Sequence, residues 1–191
     1  MASILNVDKI RRAAGSTDAL VIDSGDRVTT PTRPAFSVYG DTDGSSVDVT
    51  SGPADVNIFN VTDFNIGGCI ALSSGVATFT APIAGLYQFN STVLIQSPTT
   101  ASYTSSYLYV YEGGSTARYS SGLAESAYKN FLYRAITDHG HNDSDVDYFE
   151  LSNSAVIQLS ASDTVKVKYE VGNDTTTQLR RGCRFNGFLV G

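Results

Sequence analysis

The sequence predicts an all-β protein, a sandwich or barrel of many short strands. Three observations carry this. Short apolar or alternating runs are separated by turns rich in Ser, Thr, Gly, Asn and Asp, the pattern of a sandwich or barrel. No stretch has the period of an amphipathic helix. The chain has 191 residues, with 11 Tyr and 9 Phe and no Trp, and such rings suit pleated surfaces. Hydrophobic residues make up 41% and charged residues 17%, a balance that argues for a folded core and against disorder.

Two parts are expected, residues 1–33 and residues 34–191. In the first, Ile4, Leu5, Val7 and Ile10 are apolar, and Ala13-Ala14-Gly15-Ser16 breaks the run. Ala19-Leu20-Val21-Ile22 reads as a short strand, Ser24-Gly25-Asp26 as a turn and Arg27-Val28-Thr29-Thr30 as a last strand. Pro31 and Pro34 favour an extended linker. Strands this short and few make no core alone, so they need other copies of the chain or a larger body. In the second part, strands are expected near 34–40, 56–61, 68–72, 76–80, 85–96, 103–112, 117–121, 128–136, 147–159, 163–171 and 182–190.

The most informative stretch runs from Phe79 to Phe89. Pro82 fits a turn or strand edge, Gly85 allows an unusual dihedral or a close approach, and Tyr87 and Phe89 fall on one face of a strand. Phe79, Gly85, Tyr87 and Phe89 are spaced as in the globular head of complement component 1q, which this segment resembles. Phe59 and Asn65 fit the pattern upstream, with a spacing from Asn65 to Leu72 two residues longer than in the family, so a longer turn is expected around Gly67-Gly68. Pro34-Ala35-Phe36-Ser37 matches the family's opening. Ala155-Val156-Ile157-Gln158-Leu159, followed by Asp163-Thr164-Val165, matches its penultimate strand pair. Phe185-Asn186-Gly187-Phe188-Leu189-Val190 matches its close. Those heads share the trimeric jelly roll of the tumour necrosis factor family. The resemblance therefore implies a jelly-roll β-sandwich of about ten strands that forms a homotrimer. It also implies core or interface roles for Phe36, Phe59, Phe79, Gly85, Tyr87, Phe89, Phe185, Gly187 and Phe188.

Ser3-Ile4-Leu5-Asn6-Val7-Asp8-Lys9-Ile10, followed by Leu20-Val21-Ile22-Asp23-Ser24-Gly25-Asp26-Arg27-Val28, resembles N-terminal leaders of tail-fibre and other virion proteins of phages. That likeness implies that Ile4, Leu5, Val7, Ile10, Leu20, Val21 and Ile22 belong to an attachment segment contacting other virion proteins.

Two clusters are candidate sites. Tyr107, Tyr109 and Tyr111 share one face of a strand, as a recognition surface, a subunit interface or the buried side of an ordinary sandwich. His139 and His141 form a His-x-His pair that three chains about an axis would offer to a transition metal. Asp143, Asp145 and Asp147 resemble the start of a calcium loop, but Tyr148 and Ser154 stand where such a loop needs Gly and Glu. A solvated polar loop explains the same residues, and no cofactor is expected. Cys69 and Cys183 read as buried free thiols.

Charge and motifs narrow the function. The net charge is −6, of which residues 1–33 contribute +1 (five Lys/Arg, four Asp) and the rest −7 (eight against fifteen). An acidic head is a poor match for nucleic acid. No apolar run of membrane-spanning length occurs, and the N-terminus lacks a signal-peptide pattern. No nucleophile elbow, phosphate-binding loop or Cys-x-x-Cys pair occurs, so no enzyme is expected. The expectation is a phage fibre, knob or decoration protein. It would be made in the host cytoplasm and located in the virion, its head projecting and binding a host glycan or protein. The alternative is a secreted or cellular complement-like recognition module.

Overall fold

The computed structural model describes residues 7–11, 14–15, 19–30, 32–41, 45–49, 53–96, 101, 103–117, 134–138 (backbone), 148–172 and 177–191. Its strands are β1 (Lys9–Ile10), β2 (Leu20–Ile22), β3 (Val28–Thr29), β4 (Ala35–Tyr39), β5 (Ser46–Asp48), β6 (Ala54–Asp55), β7 (Val61–Ile66), β8 (Ile70–Ser73), β9 (Val76–Thr80), β10 (Gly85–Gln96), β11 (Tyr103–Glu112), β12 (Thr116–Ala117), β13 (Arg134–Asp138), β14 (Tyr148–Leu159), β15 (Thr164–Val171), β16 (Gln178–Arg180) and β17 (Arg184–Leu189). No helix occurs among the described residues.

Two seven-stranded antiparallel sheets form the sandwich. In the first, β14 and β17 flank β10, and β4 and β7 follow β17, while β16 and β5 extend the far end. In the second, β11 and β9 flank β15, with β8 beyond β9 and β6 beside the end of β15, and β12 and β13 along β11. Strict alternation builds β10. Tyr87, Phe89, Ser91, Val93 and Ile95 are buried, while Gln88, Asn90, Thr92, Leu94 and Gln96 face outward. One strand thus serves core and surface at once.

Rings close the sandwich. Phe79, from the second sheet, lies 5.3 Å from Phe36, 5.2 Å from Tyr87 and 5.0 Å from Phe89, all from the first. Phe185 meets Phe36 edge-on at 4.9 Å. Such tilted and offset pairs add about 0.5–1.5 kcal/mol each beyond area burial. Phe59 joins this core. The Tyr87 hydroxyl is satisfied by donating to the Ile83 carbonyl at 2.8 Å, and burial pushes its pKa up. Ala81–Ala84, with Pro82, is the bend that hands the chain from β9 in one sheet to β10 in the other.

Two glycines beside the ring cluster meet close approaches, rigid at Gly187 and softer at Gly85. A Cβ at Gly85 would stand 2.6 Å from Leu189 Cδ1. One at Gly187 would stand 2.6 Å from Phe89 Cδ1 and 2.9 Å from both the Gln88 carbonyl and Phe36 Cε1. Around Gly67 and Gly68, both at positive φ, the expected turn is spanned by Asn65. Its side chain donates to the Ile70 carbonyl at 2.9 Å and accepts from Ile70 N at 3.2 Å.

Several expected elements differ. Residues 56–60 are not a strand; β7 follows them. Val56, Ile58 and Phe59 are buried because this segment crosses from β6 in the second sheet to β7 in the first. Its amides bond singly, Val56 N to Val167 O and Phe59 N to Gly75 O, both at 2.9 Å. A buried crossing carries the same apolar signal as a strand. β1, β5, β6 and β16 were not expected, each with two or three residues, too few to show a period, and β7 extends from Val61 to Ile66, beyond the expected strand end at 61. The sandwich consequently has more strands than the ten expected. The parts of the 117–121 and 128–136 expectations at 118–121 and 128–133 lie outside the described residues.

Asp163 ties the turns together. Its buried carboxylate accepts from Gly113 N at 3.0 Å and Ser160 N at 2.9 Å. Residue 34 enters at this same end, where Leu189 N donates to Pro34 O at 2.9 Å and Leu86 N to Gly191 O at 2.9 Å. Gln96, Tyr103, Asp138, Tyr148, Val171 and Gln178 mark the opposite end.

Gly187→Ala should destabilise the head by about 1–3 kcal/mol, because rigid rings and a carbonyl surround the new methyl. Urea denaturation reads this; an unchanged midpoint would contradict the close approach.

Candidate interaction surface

The outward residues of the first sheet form rows. One reads Val156, Gln88, Phe188, Ala35, Ile66, and the next Ser154, Asn90, Asn186, Ser37, Phe64. A third reads Ser152, Thr92, Arg184, Tyr39. The end nearest residue 34 is apolar. There Val156 is 52% exposed, Phe188 46%, Phe64 43% and Leu86 42%. Phe64 and Phe188 rim a shallow depression of about 350 Å³ floored by Ala35, Ser37 and Gly187.

The middle is a ladder of amides and hydroxyls. Gln88 Nε2 donates to Ser154 Oγ at 2.9 Å, and Ser154 Oγ donates to Asn90 Oδ1 at 2.9 Å. Asn90 Nδ2 donates to Asn186 Oδ1 at 3.1 Å. Thr92 and Ser152 hydroxyls lie 3.3 Å apart. The far end carries Glu150, Arg180, Arg184 and Tyr148, with the Arg180 guanidinium 5.9 Å from the Tyr148 ring centroid. The face therefore grades from apolar through neutral polar to charged.

Tyr107, Tyr109 and Tyr111 share the outer face of the second sheet; Leu108 and Val110 take the core side. Tyr107 is nevertheless buried, and its hydroxyl donates to Glu170 and accepts from Ser105 Oγ at 2.9 Å. The Tyr103 hydroxyl donates to the same carboxylate at 2.7 Å. Tyr109 and Tyr111 are half-buried, rings 5.0 Å apart, with the Lys168 ammonium 4.7 Å from the Tyr109 centroid. Asp55 pairs with Lys166 at 3.0 Å and with Lys168 at 3.6 Å. Burial lowers the Lys168 pKa, but a hydrogen bond with Tyr111 and the nearby Asp55 charge outweigh it, and the net shift is upward.

Among the described attachment residues, Ile10, Leu20 and Ile22 share one face of the β1–β2–β3 sheet and Val21 takes the other; Val7 precedes β1. Ile4, Leu5, His139, His141, Asp143, Asp145 and Asp147 lie outside the described residues. Among the described residues no three His, Cys, Asp or Glu side chains are grouped to hold a metal ion. Cys69 and Cys183 are free and buried. Burial raises both thiol pKa values, that of Cys183 to about 11.

Neither thiol should react with a water-soluble disulfide reagent at pH 8 while the protein is folded, and both should react in denaturant. Because a raised thiol pKa favours the protonated native form, its contribution to stability is lost as pH rises from about 9 towards 11. Stoichiometric labelling of the native protein would contradict the burial.

No family model matches the sequence, and no curated protein matches it. Solved structures do resemble the fold. One is the globular domain of zebrafish complement 1qA, at TM-score 0.55 and 18% identity, covering 83% of this chain and 98% of that one. Another is the Eiger tumour necrosis factor of S. frugiperda, at TM-score 0.58 and 12% identity, covering 83% and 94%. The chain therefore has an all-β jelly-roll fold of the type shared by the complement 1q globular domain and tumour necrosis factor.

Proposed function

We propose that the chain is a non-enzymatic structural and recognition protein whose heads associate in threes through the outer face of the first sheet. One observation carries this reading. Leu86, Val156, Phe188, Phe64 and Ile66 cluster on that face, each more than 40% exposed. Contiguous apolar patches rimmed by polar residues mark interaction sites. The number three comes from the resemblance to complement-type heads. Residues up to 33 act as the attachment segment, placing the head on a phage particle as a fibre, knob or decoration. The virion setting rests on the leader resemblance. Display of three heads strengthens weak contacts with a host glycan or protein.

A second reading, a cellular or secreted complement-like recognition module, is favoured by the likeness to the complement 1qA domain. Neighbouring capsid and tail genes would favour the virion.

Light scattering of the purified protein should give the mass of three chains over a range of concentrations; a monomer would refute the association. Phe188→Asp should shift the mass to one chain while circular dichroism stays unchanged, since each half-exposed ring loses half of the about 1.5–3 kcal/mol of full burial and a charge is left unpaired at the interface. Deleting residues 1–33 should leave folded heads that no longer enter particles; normal incorporation would refute the attachment role.

A further inference from the structure

We infer that the aliphatic face of the N-terminal three-stranded sheet is covered by the same face of two other copies, so the segment is a second self-association element. This rests on the threefold reading of the heads.

Ladder pairing makes the face. Ile10 opposes Leu20 and Ile22 opposes Val28, so all four side chains project to one side. Lys9, Val21 and Thr29 take the reverse side. Val28 is 65% exposed, Ile10 51% and Ile22 40%, around a depression of about 130 Å³ that Val7, Leu20, Asp8 and Lys9 also line. The side chains that project from these strands to this face are all uncharged, and Asp8 lies at its margin.

The face is held in shape. Asp23 accepts from Gly25 N at 2.8 Å, Arg27 N at 3.2 Å and Arg27 Nε at 2.9 Å, closing the β2–β3 hairpin. The ion pair Asp23–Arg27 sits at the hairpin tip, 2.8 Å, so packing the aliphatic face buries neither charge. Three strands of two or three residues bury no core by themselves.

Two observations select copies of this chain as the occupant. A face whose strands project Ile, Leu and Val alone is complementary to itself, and charge that a foreign surface could recognise lies only at its margin, at Asp8 and Lys9. Its tether also leaves the head at the apolar end of the first sheet's outer face. The Arg33 guanidinium donates to the Val190 carbonyl, and Leu189 N donates to Pro34 O. Heads joined through that face bring three tethers together, which raises the effective concentration of the three small sheets.

The test uses the full chain carrying Val28→Cys or, on the reverse side, Thr29→Cys, with a short thiol-to-thiol crosslinker at dilute protein concentration. Both positions are exposed, and the native thiols are buried. The expected result is covalent pairs and triples from Val28→Cys at least tenfold in excess of those from Thr29→Cys. A mass of three chains with equal linkage at both positions, or none at Val28→Cys, overturns the face packing and leaves the threefold head intact. A one-chain mass overturns both. In assembled particles, linkage of position 28 to another virion protein instead of to itself also overturns the inference.

Discussion

The cluster of rings between the sheets is the constraint on which the rest depends. Phe79 is the contribution of the second sheet, and it touches Phe36, Tyr87 and Phe89 of the first within 5.3 Å. Fixing those rings fixes the registers of β4, β9 and β10, because a slip of one residue would turn each ring to solvent. Gly187 is part of the same constraint: the space a Cβ would need is already taken by Phe36, Phe89 and the backbone of β10.

Since each strand of the first sheet is two-faced, fixing its core side also fixes its surface. Tyr87 inward places Leu86 and Gln88 outward; Phe185 and Gly187 inward place Asn186 and Phe188 outward. The outer face is made by the other half of the residues that build the core. In the proposed association, a mutation there would act on association with little effect on folding, whereas its chain neighbour acts on folding.

Much of the fold was legible, and the reason is local. Phe79, Gly85, Tyr87 and Phe89 lie within eleven residues and carry the resemblance, and within β10 two-residue alternation puts Tyr87 and Phe89 on one face without knowledge of any partner strand. The crossing at 56–60 misled because burial and strand pairing leave the same apolar trace. The graded surface was illegible for a different reason. Phe64, Leu86, Val156 and Phe188 are far apart in the chain and become neighbours only through the order β14, β10, β17, β4, β7. The tyrosines of β11 were half legible. Alternation put Tyr107, Tyr109 and Tyr111 on one face, but which face meets the core depended on β15. Leu108 and Val110 take the core, while the phenol hydroxyls of Tyr103 and Tyr107 reach Glu170 on the outside.

The ladder of Gln88, Asn90, Ser154 and Asn186 explains how a polar stripe could lie in the middle of the proposed association surface. An amide buried without a partner loses about 1–3 kcal/mol. Here the side chains bond laterally to one another within the sheet, so much of their hydrogen bonding survives when water leaves. The stripe then adds little affinity and little penalty. In the proposed association, affinity would come from the apolar end, beside residue 34, and the charged end around Glu150, Arg180 and Arg184 would supply the orientation. A face ordered in this way would pack against its own copies in few arrangements. The apolar end is also the end from which the N-terminal sheet departs, so in the proposed trimer association of the heads and gathering of the three tethers would be one event.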